Sequence, residues 1–175
     1  GGDVGACGAP RGVRSGNACA GGHQRVPAAS GRYVSVYNGE VNNHRSLPAE
    51  LDTISPAGWR GHSDTEVILA AFDAWGIEKA LPKLVGMFAM AVWDRRERAL
   101  TLVRDRAGEK PLCWGMLGDQ LVFASELKAI EGMDAGSLHV NQAALPLLLR
   151  FGYIPAPHSI YEGIEKLLPG TWARF

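Results

Sequence analysis

The most constraining feature of this sequence is a run of seven consecutive apolar residues at positions 87–93 (MFAMAVW). Such a run is typical of a strand buried on both faces or of a short buried helix. Polar turns separate it from further, largely apolar segments at 99–103, 112–116 and 121–124. This spacing predicts a meander of antiparallel strands. Because strands that are apolar on both faces must be covered on both sides, we predict stacked sheets between helical layers.

Helices are predicted before and after this block of strands. Ser63 stands three residues ahead of Glu66 at the start of an apolar segment, which is the capping-box pattern, and Gly76 ends the resulting helix Asp64–Trp75. We expect this helix to cover one face of a sheet. A short helix is predicted soon after residue 43, and a weaker helical piece at 77–85.

The last third of the chain is predicted to contain two short helices and a tail. Ser125 caps a helix at 126–130, and Asn141 caps another at 142–151 that Pro146 kinks or shortens. Residues 153–175 contain three prolines. This composition predicts an extended, linker-like tail.

The composition is that of a soluble globular protein and argues against several functions. The 175 residues are 46% hydrophobic and 21% charged, which suits one domain with a substantial core. Because 18 basic and 18 acidic side chains balance, neither nucleic-acid nor membrane binding is expected. The three cysteines form no Cys-x-x-Cys pair, so we expect no disulfide framework, no metal site and a cytoplasmic location. Cys113, in an apolar run, is interpreted as a core thiol.

Residues 1–22 differ from everything after them. Eight of these 22 residues are glycine, and apolar periodicity is absent. Glycine-rich backbone loses much conformational entropy on ordering, and this stretch has little apolar surface to bury. We therefore predict a disordered leader over residues 1–20, in which Cys7-Gly8 is the only chemically suggestive feature.

Two polar stretches, Tyr37-Asn38-Gly39-Glu40 and Ser63-Asp64-Thr65-Glu66, admit a structural and a functional interpretation. In the structural one, Asn38-Gly39 follows a β-branched and aromatic run and forms a hairpin turn. The second stretch is then no more than the start of a helix.

The functional interpretation uses the same atoms. The side-chain amide of Asn38 and the unshielded N–H of Gly39 can together hold an oxyanion. Asp64 lies in the first turn of a helix, where the helix dipole favours its ionised form. This carboxylate, with Glu40 as a second acceptor, can bind the α-amine of an amino acid. Spacing alone leaves both interpretations open.

Several short motifs follow one another along the chain and carry a family resemblance. They are Gly22-His23-Gln24, Tyr37-Asn38-Gly39-Glu40 with Asn43-His44, Gly61-His62-Ser63-Asp64-Thr65-Glu66, Gly86-Met87-Phe88-Ala89, Trp93-Asp94-Arg95, Arg104-Asp105-Arg106-Ala107-Gly108-Glu109-Lys110-Pro111-Leu112, Phe123-Ala124-Ser125-Glu126-Leu127-Lys128 and Tyr153-Ile154-Pro155-Ala156-Pro157. From about Gly21 onward, the chain resembles the glutaminase domain of glutamine-hydrolysing asparagine synthetases, which are class II glutamine amidotransferases.

The resemblance implies a fold and a set of site residues. The fold would be α+β, a four-layer αββα sandwich of the N-terminal-nucleophile hydrolase type that lacks its first strands. Asn38 and Gly39 match the family's oxyanion hole. Glu40 and Asp64 match positions that hold the substrate glutamine.

The resemblance also implies a reaction and partners. A cysteine attacks the side-chain amide of glutamine, ammonia leaves, and water hydrolyses the glutamyl thioester. No cofactor belongs to this domain. ATP and Mg²⁺ serve a separate synthetase domain, which uses the ammonia to amidate aspartate, and the full-length enzyme would be a homodimer.

The start of the chain departs from the family. The nucleophile should be the first residue, since its α-amine, with a pKa of roughly 7.7–8.0, accepts the thiol proton. Cys7 is the candidate nucleophile here, but six residues precede it and its nitrogen is peptide-bonded. Arg11 and Arg14 lie out of register with the family's glutamine-binding arginine. We therefore expect the chain as written to be an inactive fragment.

The predicted organisation is a divergent leader at 1–20, a type 2 glutamine amidotransferase domain at 21–140 and the start of a linker at 141–175, leading to an absent synthetase domain. Two alternatives stay open. One is a non-catalytic, glutamine-binding remnant, which the blocked Cys7 motivates. The other is the glutaminase domain of a class II amidotransferase with a different ammonia acceptor.

Overall fold

The computed structural model describes residues 13–16, 26–53, 63–133, 136 and 138–175. The chain divides into a smaller unit, residues 1–20 with 111–167, and a larger unit, residues 21–110 with 168–175. The described strands are β1 (Val13–Gly16), β2 (Val26–Pro27), β3 (Tyr33–Val41), β4 (Gly86–Asp94), β5 (Ala99–Arg104), β6 (Cys113–Leu117), β7 (Gln120–Ala124), β8 (Ile164–Lys166) and β9 (Trp172–Arg174). The described helices are α1 (Leu47–Asp52), α2 (Asp64–Trp75), α3 (Ile77–Ala80), α4 (Leu127–Glu131) and α5 (Leu145–Phe151).

The sheet of the larger unit has the strand order β2-β3-β4-β5-β9, and every neighbouring pair is antiparallel. β3 and β4 pair along their whole length, from Tyr33 opposite Asp94 to Val41 opposite Gly86. One face of these strands packs against α2, where the ring of Tyr33 meets Phe72 edge-on with centroids 6.0 Å apart. The predicted bounds of this helix and its position over a sheet are confirmed.

The sheet of the smaller unit has the order β1-β7-β6-β8. β1 runs parallel to β7, and the other two pairs are antiparallel. Cys113 is buried in the core of this unit with Val122, Ile130 and Ile164, as expected of a structural thiol. Helix α5 contains no buried side chain, and Leu149 is 87% exposed.

The predicted hairpin at Asn38-Gly39 is wrong, because both residues lie inside β3. β4 pairs with the strand on both sides of Gly39, so the extended path continues to Val41. The glycine is required by close approach and not by a turn. A Cβ at this position would lie 2.1 Å from the carbonyl oxygen of Met87, and the φ angle is +143°.

Two predictions about the ends of the chain are corrected. Val13–Gly16, inside the predicted disordered leader, form β1, while residues 1–12 and 17–20 lie outside the described part. The predicted extended tail contains β8 and β9, each three residues long and each paired with a strand distant in sequence. Such short strands carry too little periodicity to be recognised, since long-range pairing decides them.

Two predicted helix starts have different outcomes. The cap of α4 is Glu126, one residue after the predicted Ser125, and its side chain makes no capping hydrogen bond. Asn141 caps as predicted, since its side chain accepts a hydrogen bond from the N–H of Ala143 at 3.1 Å. A short 3₁₀ turn follows, and Pro146 lies in the first turn of α5, where a missing N–H is tolerated.

Candidate functional site

Asp64, the first residue of α2, lies beside the end of β3. One carboxylate oxygen, Oδ2, accepts hydrogen bonds from the Tyr37 hydroxyl at 2.8 Å and from the N–H of Val41 at 3.2 Å. The other, Oδ1, accepts from the N–H of Thr65 at 2.8 Å. Ser63 caps the helix by accepting from the N–H of Glu66 at 3.3 Å, as predicted. The carboxylate is thus fixed at a helix N-terminus, where negative charge is favoured.

Tyr37 is a neutral hydrogen-bond donor in this corner. Burial raises the pKa of its phenol well above the usual value, and the hydrogen bond to Asp64 raises this pKa further. Since the ionised form of Asp64 needs donors, a tyrosine that keeps its proton is well suited to hold it.

The N–H groups of β3 point alternately to the two edges of the strand. The N–H of Asn42, just beyond β3, donates towards β4, to the carbonyl of Val85 at 2.8 Å, whereas the N–H of Val41 points to the other edge and donates to Asp64. By this alternation, the N–H of Gly39 points to the Asp64 edge. Among the described strands, only β2 pairs along this edge, and only at the start of β3.

Asn38 and Glu40 flank Gly39 in β3. Alternation places their side chains on the face of the sheet opposite Tyr37. Asn38 is half-buried and Glu40 is exposed. The structure therefore brings Gly39 and Asp64 to one strand edge. Asn38 and Glu40 lie next to Gly39 in β3, and the roles of all four residues stay predictions.

Sequence reasoning missed two members of this corner, the Tyr37 hydroxyl and the N–H of Val41. Tyr37 belongs to a motif already noted, but its contact with Asp64 spans 27 residues of sequence. No local pattern reports a contact of that range. Both groups contact Asp64 only because α2 packs against β3 in the folded chain.

The Trp93-Asp94-Arg95 motif builds the turn after β4. The buried carboxylate of Asp94 accepts hydrogen bonds from the guanidinium of Arg32 at 2.7 and 3.1 Å. It also accepts from the N–H groups of Arg96 and Glu97, at 2.9 and 3.2 Å. Burial alone would raise the pKa of Asp94, but the Arg32 hydrogen bonds and these two N–H donors lower it below its usual value.

Asp105, in the long Arg104–Leu112 motif, is almost fully buried. Its side chain accepts from the N–H groups of Phe88 at 3.3 Å and of Glu109 and Lys110 at 3.0 Å each. Burial alone would raise its pKa, but these N–H donors hold the pKa below its usual value. Its carbonyl also accepts from the N–H of Gly170, which ties the segment before β9 to this loop.

A groove of about 340 Å³ lies at the other end of α2. Its lining includes Trp75, Ile77, Thr101 and Trp172, together with the Arg32 and Asp94 pair. The predicted site residues that the structure describes, Asn38, Gly39, Glu40 and Asp64, do not line it. The corner at Asp64 therefore remains the candidate site.

Several predicted features cannot be placed. Cys7, the predicted nucleophile, lies outside the described residues, as do His23 and His62 of the motifs. In the described ranges, no group of three or more histidine, cysteine, aspartate or glutamate side chains is arranged to hold a metal ion. No described helix has the length and apolar character that crossing a membrane requires.

Comparison with known proteins identifies the family. The model of the glutamine amidotransferase domain family matches residues 17–175. An asparagine synthetase [glutamine-hydrolyzing] of Bacillus subtilis is 33% identical over 139 residues, which are 79% of this chain and 22% of that protein. The mouse asparagine synthetase is 28% identical over 163 residues, 77% of this chain and 27% of that protein. The chain spans about a quarter of the length of these relatives, and it belongs to the glutamine amidotransferase domain family.

Solved structures agree on the fold. The glutamine phosphoribosylpyrophosphate amidotransferase of B. subtilis, complexed with ADP and GMP, aligns with a TM-score of 0.52 at 24% identity, covering 63% of this chain and 25% of that one. A structure described as the allosteric regulatory enzyme of purine biosynthesis aligns with a TM-score of 0.54 at 20% identity, covering 83% of this chain and 30% of that one. The predicted α+β fold of the N-terminal-nucleophile amidotransferases is confirmed.

Proposed function

We propose that this chain is the glutaminase domain of a glutamine-hydrolysing asparagine synthetase, and that the β3 edge beside Asp64 binds glutamine. One observation carries the proposal. The N–H of Gly39 points to the same strand edge as the N–H of Val41, and the N–H of Val41 donates a hydrogen bond to the Asp64 carboxylate. Two residues of a strand span about 7 Å. The Asp64 carboxylate lies a hydrogen bond beyond the N–H of Val41, so an oxyanion donor and an amine-binding carboxylate share one strand edge, which suits an extended amino acid with a side-chain amide.

Each part of the edge has a role in the proposed reaction. Glutamine places its α-ammonium against Oδ1 of Asp64, which in the described residues accepts only from Thr65. Its side-chain carbonyl oxygen lies at the N–H of Gly39, with the amide of Asn38 as a second donor. These donors stabilise the negative charge that develops on this oxygen during attack by a thiolate. Exposed Glu40 offers a further acceptor to the α-ammonium.

The chemistry at the start of the chain determines activity. The thiol needs a neighbouring base, and an N-terminal cysteine provides one in its own α-amine. Cys7 has only a peptide nitrogen. We propose that this chain binds glutamine without hydrolysing it, and that a variant in which a family-like segment beginning Cys-Gly replaces residues 1–20 hydrolyses it.

The wider activity belongs to the same proposal. The ammonia would pass to a synthetase domain that uses ATP and Mg²⁺ to amidate aspartate, in a cytoplasmic, homodimeric enzyme. The relatives support this with their names and with the three-quarters or so of their length that this chain does not match. The exposed apolar side chains of α5 suit a surface that a partner domain covers.

Calorimetric titration with L-glutamine, run beside an ammonia-release assay, tests the proposal. We expect the chain as written to bind glutamine and release no ammonia. The variant beginning Cys-Gly should bind and release ammonia. Failure of both chains to bind glutamine would exclude the proposed site, whereas ammonia release by the unmodified chain would show that Cys7 is competent.

The second candidate function, a non-catalytic glutamine-binding remnant, rests on the peptide-bonded nitrogen of Cys7. It differs from the first in one outcome. If the variant beginning Cys-Gly folds and binds glutamine but releases no ammonia, the remnant is favoured.

A further inference from the structure

We infer that Tyr37 is a positioning residue for substrate recognition: its hydroxyl orients the Asp64 carboxylate towards the α-ammonium group of glutamine. This inference rests on the proposed function and adds a residue to it. Tyr37 would not touch the substrate. It would act through the hydrogen bond between its hydroxyl and Oδ2 of Asp64, which is 2.8 Å long.

The two oxygens of the Asp64 carboxylate differ in their hydrogen bonds. Oδ2 already has two donors, the Tyr37 hydroxyl and the N–H of Val41. Within the described ranges, Oδ1 has one short contact, with the N–H of Thr65, and a long one with the Thr65 hydroxyl at 3.4 Å. Each carboxylate oxygen has about two acceptor sites, and the second contact of Oδ1 is the long one at 3.4 Å, so Oδ1 has more capacity for a ligand than Oδ2.

Geometry explains why a tyrosine is needed at this position. Asp64 lies in the first turn of α2, and its backbone alone leaves the carboxylate free to rotate about χ2. The phenol of Tyr37 reaches it from β3, which is fixed by pairing with β4 opposite Met90. Two donors from the strand on Oδ2 and one from the helix on Oδ1 therefore set the plane of the carboxylate before any ligand binds.

A carboxylate with a fixed plane discriminates ligands by their α-amine. Glutaramic acid, which is glutamine without its α-amine, keeps the side-chain amide and the carboxylate but has nothing to give Oδ1. If Tyr37 acts through Asp64, its loss should weaken binding of glutamine and leave glutaramic acid unaffected. A general loss of structure would weaken both.

The test measures dissociation constants by calorimetric titration of the 175-residue chain with L-glutamine and with glutaramic acid. We expect Tyr37→Phe to weaken glutamine binding roughly tenfold, the effect of one charge-assisted hydrogen bond, and to change glutaramic acid binding less than twofold. Tyr161→Phe is the matched control. It removes another tyrosine–carboxylate hydrogen bond, from Tyr161 to Glu131 at 2.5 Å, and should change neither constant.

A double-mutant cycle with Asp64→Asn completes the test. If Tyr37 acts through Asp64, adding Tyr37→Phe to Asp64→Asn should cause no further loss of glutamine affinity. Equal affinity of the wild type and Tyr37→Phe for glutamine would overturn the inference alone, as would parallel losses for both ligands. If the wild type bound neither ligand, the proposed function itself would fail.

Discussion

Two aspartates of the larger unit, Asp64 and Asp105, are held by hydrogen-bond donors in different ways. Asp105 is almost fully buried, and its carboxylate accepts from three backbone N–H groups. Asp64 is half-buried at a helix N-terminus and takes two donors on one oxygen, one of them a side-chain hydroxyl. A carboxylate saturated by backbone donors stabilises a loop. One with a fixed orientation and a second oxygen that accepts only one short hydrogen bond in the described residues can bind a ligand.

The largest expected effect is on stability, at Asp105. Asp105→Ala removes a buried carboxylate and leaves the N–H groups of Phe88, Glu109 and Lys110 without their acceptor, so we expect a loss of about 3–5 kcal/mol in the free energy of unfolding. Urea denaturation followed by circular dichroism measures it. Asp119→Ala, in the exposed turn between β6 and β7, is the control and should change stability by less than about 0.5 kcal/mol. A loss below about 1 kcal/mol for Asp105→Ala would contradict the conclusion that this carboxylate stabilises its loop.

The next effect is on catalysis, at Asn38. In the variant beginning Cys-Gly, Asn38→Ala should lower the kcat for glutamine by roughly 10²-fold, because one oxyanion donor is removed. The stability of this variant should stay within about 1 kcal/mol of its parent. An unchanged kcat in a folded variant would remove Asn38 from the proposed oxyanion hole.

Asp64→Asn should affect substrate binding more than turnover. The amide keeps the size of the side chain but lacks the charge that the α-ammonium requires, so we expect the KM for glutamine to rise about tenfold or more. In a full-length enzyme, synthesis from added ammonia should be unaffected, because ammonia does not need this site. Equal losses with glutamine and with ammonia would indicate misfolding and would contradict the assigned role.

The smallest effect is a pH dependence at Asp94. Its pKa in the folded chain lies below the unfolded value, so its contribution to stability is fully present above about pH 4 and is lost as the pH falls through the folded pKa. Asp94→Asn should therefore reduce stability by about 1 kcal/mol at pH 7 and by less near pH 2. Urea denaturation at both pH values measures the difference. A deficit of the same size at both would show that the charge is irrelevant.

Local signals were enough to predict several elements. The Ser63 cap, the apolar face that follows it and Gly76 place α2 without any knowledge of its partners. The buried strand β4 follows from an uninterrupted apolar run, and β5 from a segment in which Thr101 is the one polar residue before Arg104. In each case the deciding contacts are close in sequence, or the whole segment is apolar, so the pattern suffices.

The errors fall where contacts distant in sequence decide the structure. Asn38-Gly39 has the composition of a turn, but pairing with β4 keeps it extended, and the glycine serves the close approach of Met87. The short strands β8 and β9 form because they pair with β6 and β5, which are distant in sequence.

The sequence by itself determined the family, the position of α2 and the presence of Asn38, Gly39, Glu40 and Asp64 in two motifs. Only the tertiary structure placed the Tyr37 hydroxyl on Asp64 and turned the N–H of Gly39 to the same strand edge. The reason is physical. A motif records which groups are available, whereas the orientation of a carboxylate depends on donors that packing brings from elsewhere in the chain.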